Sequence, residues 1–220
     1  SASLRSEGMK KVFWLMLPVM VSTWVQPINM TINAKFGSRL FEGAGVSAIE
    51  LSNNLFLIIA GVFILSVTNV IYPRLSKMVA GNDTEAFSQM LGRTVRASLY
   101  FIIPMTAGLM VLARPAVELI YGGGAFDEFS VTITARALTF VSLGMIGYAL
   151  QMVLTRAYFA RQDGKTPLLA GIVSVVVNIV LCIVLIDSMD ITGLAIASAA
   201  AATAGGIVLI IPLEVKRTGF

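Results

Sequence analysis

Ser22, Gln26, Asn29 and Asn33 step by four, three and four residues through a stretch that is otherwise almost entirely apolar. At about 100° per residue, a helix gathers these four side chains into an arc of roughly 60°. Amides and a hydroxyl do not titrate in water, so the chemistry on offer is hydrogen bonding and not proton transfer or nucleophilic attack. An unpartnered amide moved into hydrocarbon costs about 4–8 kcal/mol, so the stripe must face protein or water. Two readings stay open: contacts that bind neighbouring helices, worth ~0.6 kcal/mol each in membranes, or the wall of a hydrated path for a polar substrate. Pro18 and Pro27 each remove a backbone donor and favour a bent helix, as at transporter cavities.

The element that must carry this stripe is charge-free from residue 12 to 34, which is 23 residues or about 35 Å of helix against a ~30 Å hydrocarbon core. Further charge-free runs cover 51–73, 97–113, 137–155, 166–186 and 191–213. Each has the length of a membrane-spanning helix, and the alternation of a barrel strand is absent. The expected fold is therefore an all-α membrane bundle of six spans over residues 11–217, preceded by a polar cytosolic linker at 1–10 and ending in the cytosol at 218–220. A composition of 57% hydrophobic and 13% charged residues, with a mean hydropathy of +0.86, excludes a soluble domain. The net charge of +4 comes from cations at the ends of apolar runs, which mark topology and do not form a nucleic-acid patch.

Threaded alternately, the six spans leave Lys35, Arg39, Arg114 and Arg136 on one side and the other twelve of the sixteen lysines and arginines on the opposite side. The richer side is cytosolic, which places both ends there. With no histidine and one cysteine, Cys182, a His-centred or Cys-cluster metal site and an internal disulfide are excluded. No two titratable groups share a span, so there are no catalytic candidates and the chain does not read as an enzyme.

The links carry weaker signals. Asn82 or Asp83 can cap a short helix with Phe87, Met90 and Leu91 on its apolar face, expected to lie along the membrane interface. Pro115 suits a first helical turn, and Gly122, Gly123 and Gly124 suit its end; without a following GK[ST] they make a turn and not a phosphate loop. RAYFARQDGKTP, 156–167, reads as a basic loop that fixes topology. Small residues between 194 and 206 permit close helix contact, with Asn178 and Ser198 as the polar positions of the last two spans.

GVFILSVTNVIYPRLSKM (61–78), LIYGGGAF (119–126) and RAYFARQDGKTP, in this order and spacing, resemble segments of the MurJ/MviN family. These are lipid II flippases of the multidrug/oligosaccharidyl-lipid/polysaccharide (MOP) exporter superfamily. LMLPVMVSTWVQPIN (15–29) is similar to the start of that family's seventh helix, so the chain resembles the second six-helix lobe of a two-lobe, MATE-like transporter. The resemblance implies translocation of an undecaprenyl-linked peptidoglycan precursor across the bacterial cytoplasmic membrane, by alternating access against an N-terminal lobe. The cavity-lining residues would be Ser22, Gln26, Asn29, Asn33, Asn53 and Asn54.

Asn54 stands where the family has a diphosphate-holding arginine, and Asn53 where an aspartate is common. A family sodium site, matched here, falls on Asn33, Asn178, Cys182, the Leu194 carbonyl and Ser198, with Asn33 and Cys182 in place of two carboxylates. A hard cation prefers charged oxygen, so that site would be weak. Two other functions remain open: half of another MOP exporter for polysaccharide lipids or for drugs and ions, or a non-transporting scaffold. A drug or ion pump normally buries a protonatable residue in the membrane, and none of the six runs contains one.

Overall fold

The computed structural model describes residues 20, 24–124 and 126–218, with side chains to residue 212. The linker 1–10, Pro18, Ser22 and residues 219–220 lie outside these. Among the described residues eight helices follow one another: α1 (Val25–Gly37), α2 (Ala44–Phe56), α3 (Val62–Ala80), α4 (Thr84–Val111), α5 (Ala113–Tyr121), α6 (Glu128–Ser142), α7 (Met145–Ala160) and α8 (Lys165–Thr218). A 3-10 turn, Phe41–Gly43, leads into α2, and a π-helical turn, Leu57–Gly61, joins α2 to α3. The chain is all-helical among the described residues; the one β contact is an isolated bridge from Gly123 to Phe126.

Charge-free runs underestimate these helices. The run expected at 51–73 continues through Arg74 and Lys77 to Ala80, because polar residues end the apolar stretch and not the helix. The short interfacial helix expected near residue 83 is instead the first turns of the 28-residue α4. Asp83 does cap it, its side chain accepting from the Ala86 N–H at 2.9 Å. The face of Phe87 and Leu91 is buried in a cluster with Ile71 and Leu75 of α3 and Leu154 and Ala157 of α7. The run expected at 137–155 straddles a break: α6 and α7 meet at a 49° bend.

α8 is two helices back to back, 165–189 and 191–218, reversed at Asp190 (φ 48°, ψ −130°). Among the described residues three helical stretches are long and apolar enough to cross a membrane, and the bent α6–α7 pair makes a fourth if it is one span. That count takes α8 once despite its reversal, and most of the run at 12–34 precedes α1. Six separate crossings are therefore an expectation the described residues leave open.

Two apolar clusters hold the bundle. The larger includes Ile49, Leu55, Ile64, Ile102, Leu138 and Leu194, and the smaller packs Ile71, Leu75, Phe87, Leu91, Leu154 and Leu209. At the end of the bundle near the first cluster, the turn after α1 is held by Phe41 edge-on to Phe129, with ring centroids 5.4 Å apart. Arg114 there pairs with Glu118 at 2.7 Å and with Glu128. Hydrogen bonds to these two carboxylates hold its guanidinium above the usual arginine range. Asp127 caps α6, and the Ser130 side chain and N–H hold its carboxyl below the usual range. At the opposite end, the Arg161 guanidinium lies over the Phe87 ring, 4.2 Å from its centroid.

Candidate functional site

α1 carries its amides on one side, and that side meets the first arm of α8. Asn29 donates to Ser174 Oγ at 3.4 Å and Asn33 donates to Ser198 Oγ at 2.8 Å. The Asn178 amide donates to Asn29 Oδ1 at 3.2 Å and to Asn33 Oδ1 at 3.1 Å. Asn178 and Cys182 are fully buried, Asn33 nearly so. A polar seam thus ties α1 to both arms of α8, and it answers why the stripe tolerates the bundle interior: each buried amide has partners.

The five positions matched to a sodium site come together in this seam. Cys182 Sγ lies 3.9 Å from Asn33 Oδ1 and 3.6 Å from Asn178 Oδ1, and the Ser198 hydroxyl donates to the Leu194 carbonyl at 3.0 Å. Every oxygen of the set is engaged by a protein donor, and none of the five groups is a carboxylate. With no charged oxygen in the set, any hold on a hard cation would be weak, as the sequence leads one to expect. Among the described residues there is also no His, Cys, Asp or Glu cluster able to hold a metal.

Beside the seam lies an open cavity of about 460 Å³. Gln26, Asn29 and Asn33 of α1 line it, together with Asn53 and Phe56 of α2 and Leu57 of the π turn. Asn54, one residue further round α2, is exposed and does not line it, since neighbouring positions on a helix point about 100° apart. The opposite wall belongs to α7, whose Tyr148, Gln151, Met152, Thr155, Arg156 and Phe159 all reach the cavity. Their spacing of three, one, three, one and three residues is a single helix face.

This second wall was hidden in the sequence because Arg156 ended the charge-free run and was read as a topology signal. The steps Tyr148, Gln151, Thr155 and Phe159 were the available clue. Among the described residues, Arg156 is the only charged residue lining the cavity, and no carboxylate lines it. α7 keeps its place through very close contact with the second arm of α8: a Cβ on Gly147 would sit 2.4 Å from the Thr203 nitrogen. The small residues of that arm are what admit the approach.

The sequence model for "Lipid II flippase MurJ" matches residues 2–219. The chain belongs to the MurJ lipid II flippase family. It is similar to a "Probable lipid II flippase MurJ" of Rhizobium meliloti, 28% identical over 92% of this chain and 37% of that protein. A "Lipid II flippase MurJ" of Burkholderia cenocepacia is 30% identical over 75% of this chain and 32% of its own length. The chain thus spans well under half the length of these MurJ relatives.

Among solved structures, an inward closed MurJ superposes with a TM-score of 0.80 at 28% identity, over 90% of this chain and 42% of that one. A MATE transporter of Vibrio cholerae gives 0.84 at 17% identity, over all of this chain and 50% of its own, a likeness of fold alone. The fold class is therefore that of a MurJ and MATE-like lobe.

Proposed function

We propose that this chain forms one lobe of a flippase that carries an undecaprenyl-linked peptidoglycan precursor across the bacterial cytoplasmic membrane, working by alternating access against a second lobe. The observation that carries the reading, within a MurJ family chain, is the cavity itself. Gln26, Asn53 and Gln151 line it, and their amides make no hydrogen bond to the described residues. Polar groups at this depth in an apolar bundle need water or a polar ligand. A polar cavity that stays open on one side suits a site shared between two bodies that rock about it.

An exporter of cationic drugs is supported less well, since among the described residues the cavity offers no acid to hold a cation or relay a proton. The scaffold reading draws support from the α1–α8 seam, where Asn33 and Asn178 bind helices together. The two are separable, because Gln26 lies on the cavity and outside the seam. Reconstituted with the second lobe in liposomes, the protein should move fluorescent lipid II between leaflets, and Gln26→Leu should slow that movement several-fold. Absence of movement above protein-free liposomes would favour the scaffold.

A further inference from the structure

Three arginines and lysines stand between residues 156 and 165, and the structure gives them different surroundings. Arg161 is stacked on Phe87, and Lys165 is exposed at the start of α8. Arg156 is half-buried, lines the cavity, and has no carboxylate within ion-pair distance among the described residues. A guanidinium in a partly dry wall with no counter-charge is an electrostatic vacancy for an anion. Its planar fork matches two oxygens of one phosphate. On the same helix face stand Gln151 and the adjacent Thr155, and across the cavity Gln26; each has donor capacity that no described residue takes up.

We propose that Arg156 is the residue of this lobe that holds the phosphate oxygens of the ligand. The inference rests on the flippase reading for the ligand's source, a diphosphate joined to a polyprenyl chain, but its chemistry is that of any phosphate. It also accounts for Asn54. The resemblance expects a cation on α2 at that position, and here the amide is exposed away from the cavity, so the cavity's positive charge comes from α7 instead. A single positive charge with no acid opposite also selects against cationic ligands.

The test is equilibrium binding to the purified protein in nanodiscs of neutral lipid, with three probes: undecaprenyl diphosphate, uncharged undecaprenol and inorganic diphosphate. Undecaprenyl diphosphate should bind, and more weakly as salt rises. Arg156→Gln should lower that affinity about tenfold or more and flatten the salt dependence. Arg156→Lys should fall between, and Lys165→Gln should match the unaltered protein. Undecaprenol should bind all four proteins alike.

Equal affinity and equal salt dependence for the unaltered protein and Arg156→Gln would overturn the proposal while leaving the flippase reading standing. Binding of inorganic diphosphate that requires Arg156, without binding of the prenyl compound, would support the anion site and overturn the lipid-linked ligand. If Arg156→Gln does not fold, salt-independent binding of undecaprenyl diphosphate to the unaltered protein overturns the proposal by itself.

Discussion

Gln26 and Asn33 stand seven residues apart on α1 and share a face, but they hold different partners. Asn33 is buried and bonded to Ser198 and Asn178, whereas Gln26 is exposed on the cavity. Replacing Asn33 with Leu removes one of the two acceptors of the fully buried Asn178 amide and the donor to Ser198, and leaving buried polar groups short of partners costs about 1–3 kcal/mol. Asn33→Leu should therefore lower the melting temperature clearly, while Gln26→Leu leaves it within a degree or two of the unaltered protein. Equal losses would mean that both serve only as helix contacts. The α1 amides were legible in the sequence because a polar group in an apolar run is conspicuous. Which of them would be bonded was not, since that depends on Ser174, Asn178 and Ser198 arriving from residues about 145 to 165 positions away. Arg156 was misjudged for a physical reason: a long side chain near a helix end can reach back along its helix, so a cation that ends an apolar run can still line a cavity.

Elements were legible in type and blurred in extent. Apolar runs marked α3, α4 and α8, but hydropathy reports where lipid ends, and α3 and α4 continue as helices into charged sequence. The α6–α7 bend had no such signal, because Leu143 and Gly144 are ordinary in an apolar run. What produces it is packing: a Cβ on Gly144 would lie 2.9 Å from the Ala199 Cα, and one on Gly147 would meet the backbone at Thr203. α7 carries Gln151, Thr155 and Arg156, so this contact sets one wall of the cavity. Gly147→Ala should push α7 away from α8 and destabilise by about 1–3 kcal/mol, as overpacking does. Gly108→Ala, in α4 with no neighbour within 4 Å of the new methyl, should be neutral or stabilising by up to ~1 kcal/mol. Thermal melts in detergent measure both; a Gly147→Ala protein as stable as the unaltered one would mean that the α7–α8 approach is slack.

Over the whole molecule, the contacts sort the connections into two ends. The turn at 38–43 meets the 121–129 segment through Phe41 and Phe129, and Tyr121 Oη donates to the Leu51 carbonyl at 3.5 Å. The 81–91 and 158–165 segments meet at the other end through Phe87 and Arg161. This is the pairing that alternate threading of the sequence expects for these connections. The contacts do not say which end faces the cytosol; the cation excess is the ground for expecting the second end there, since lysine and arginine are retained on the cytosolic side during insertion. Ser38 and Gln162 are exposed at opposite ends, and the one native thiol, Cys182, is fully buried. In a Cys182→Ala background, Ser38→Cys should react with an impermeant maleimide on intact cells, and Gln162→Cys should react only after the membrane is opened. Cys182→Ala removes a weak sulfur contact and leaves the Asn33 and Asn178 bond intact, so the background should fold. The reverse labelling pattern would invert the lobe and put the Arg156 end of the bundle on the outer side of the membrane.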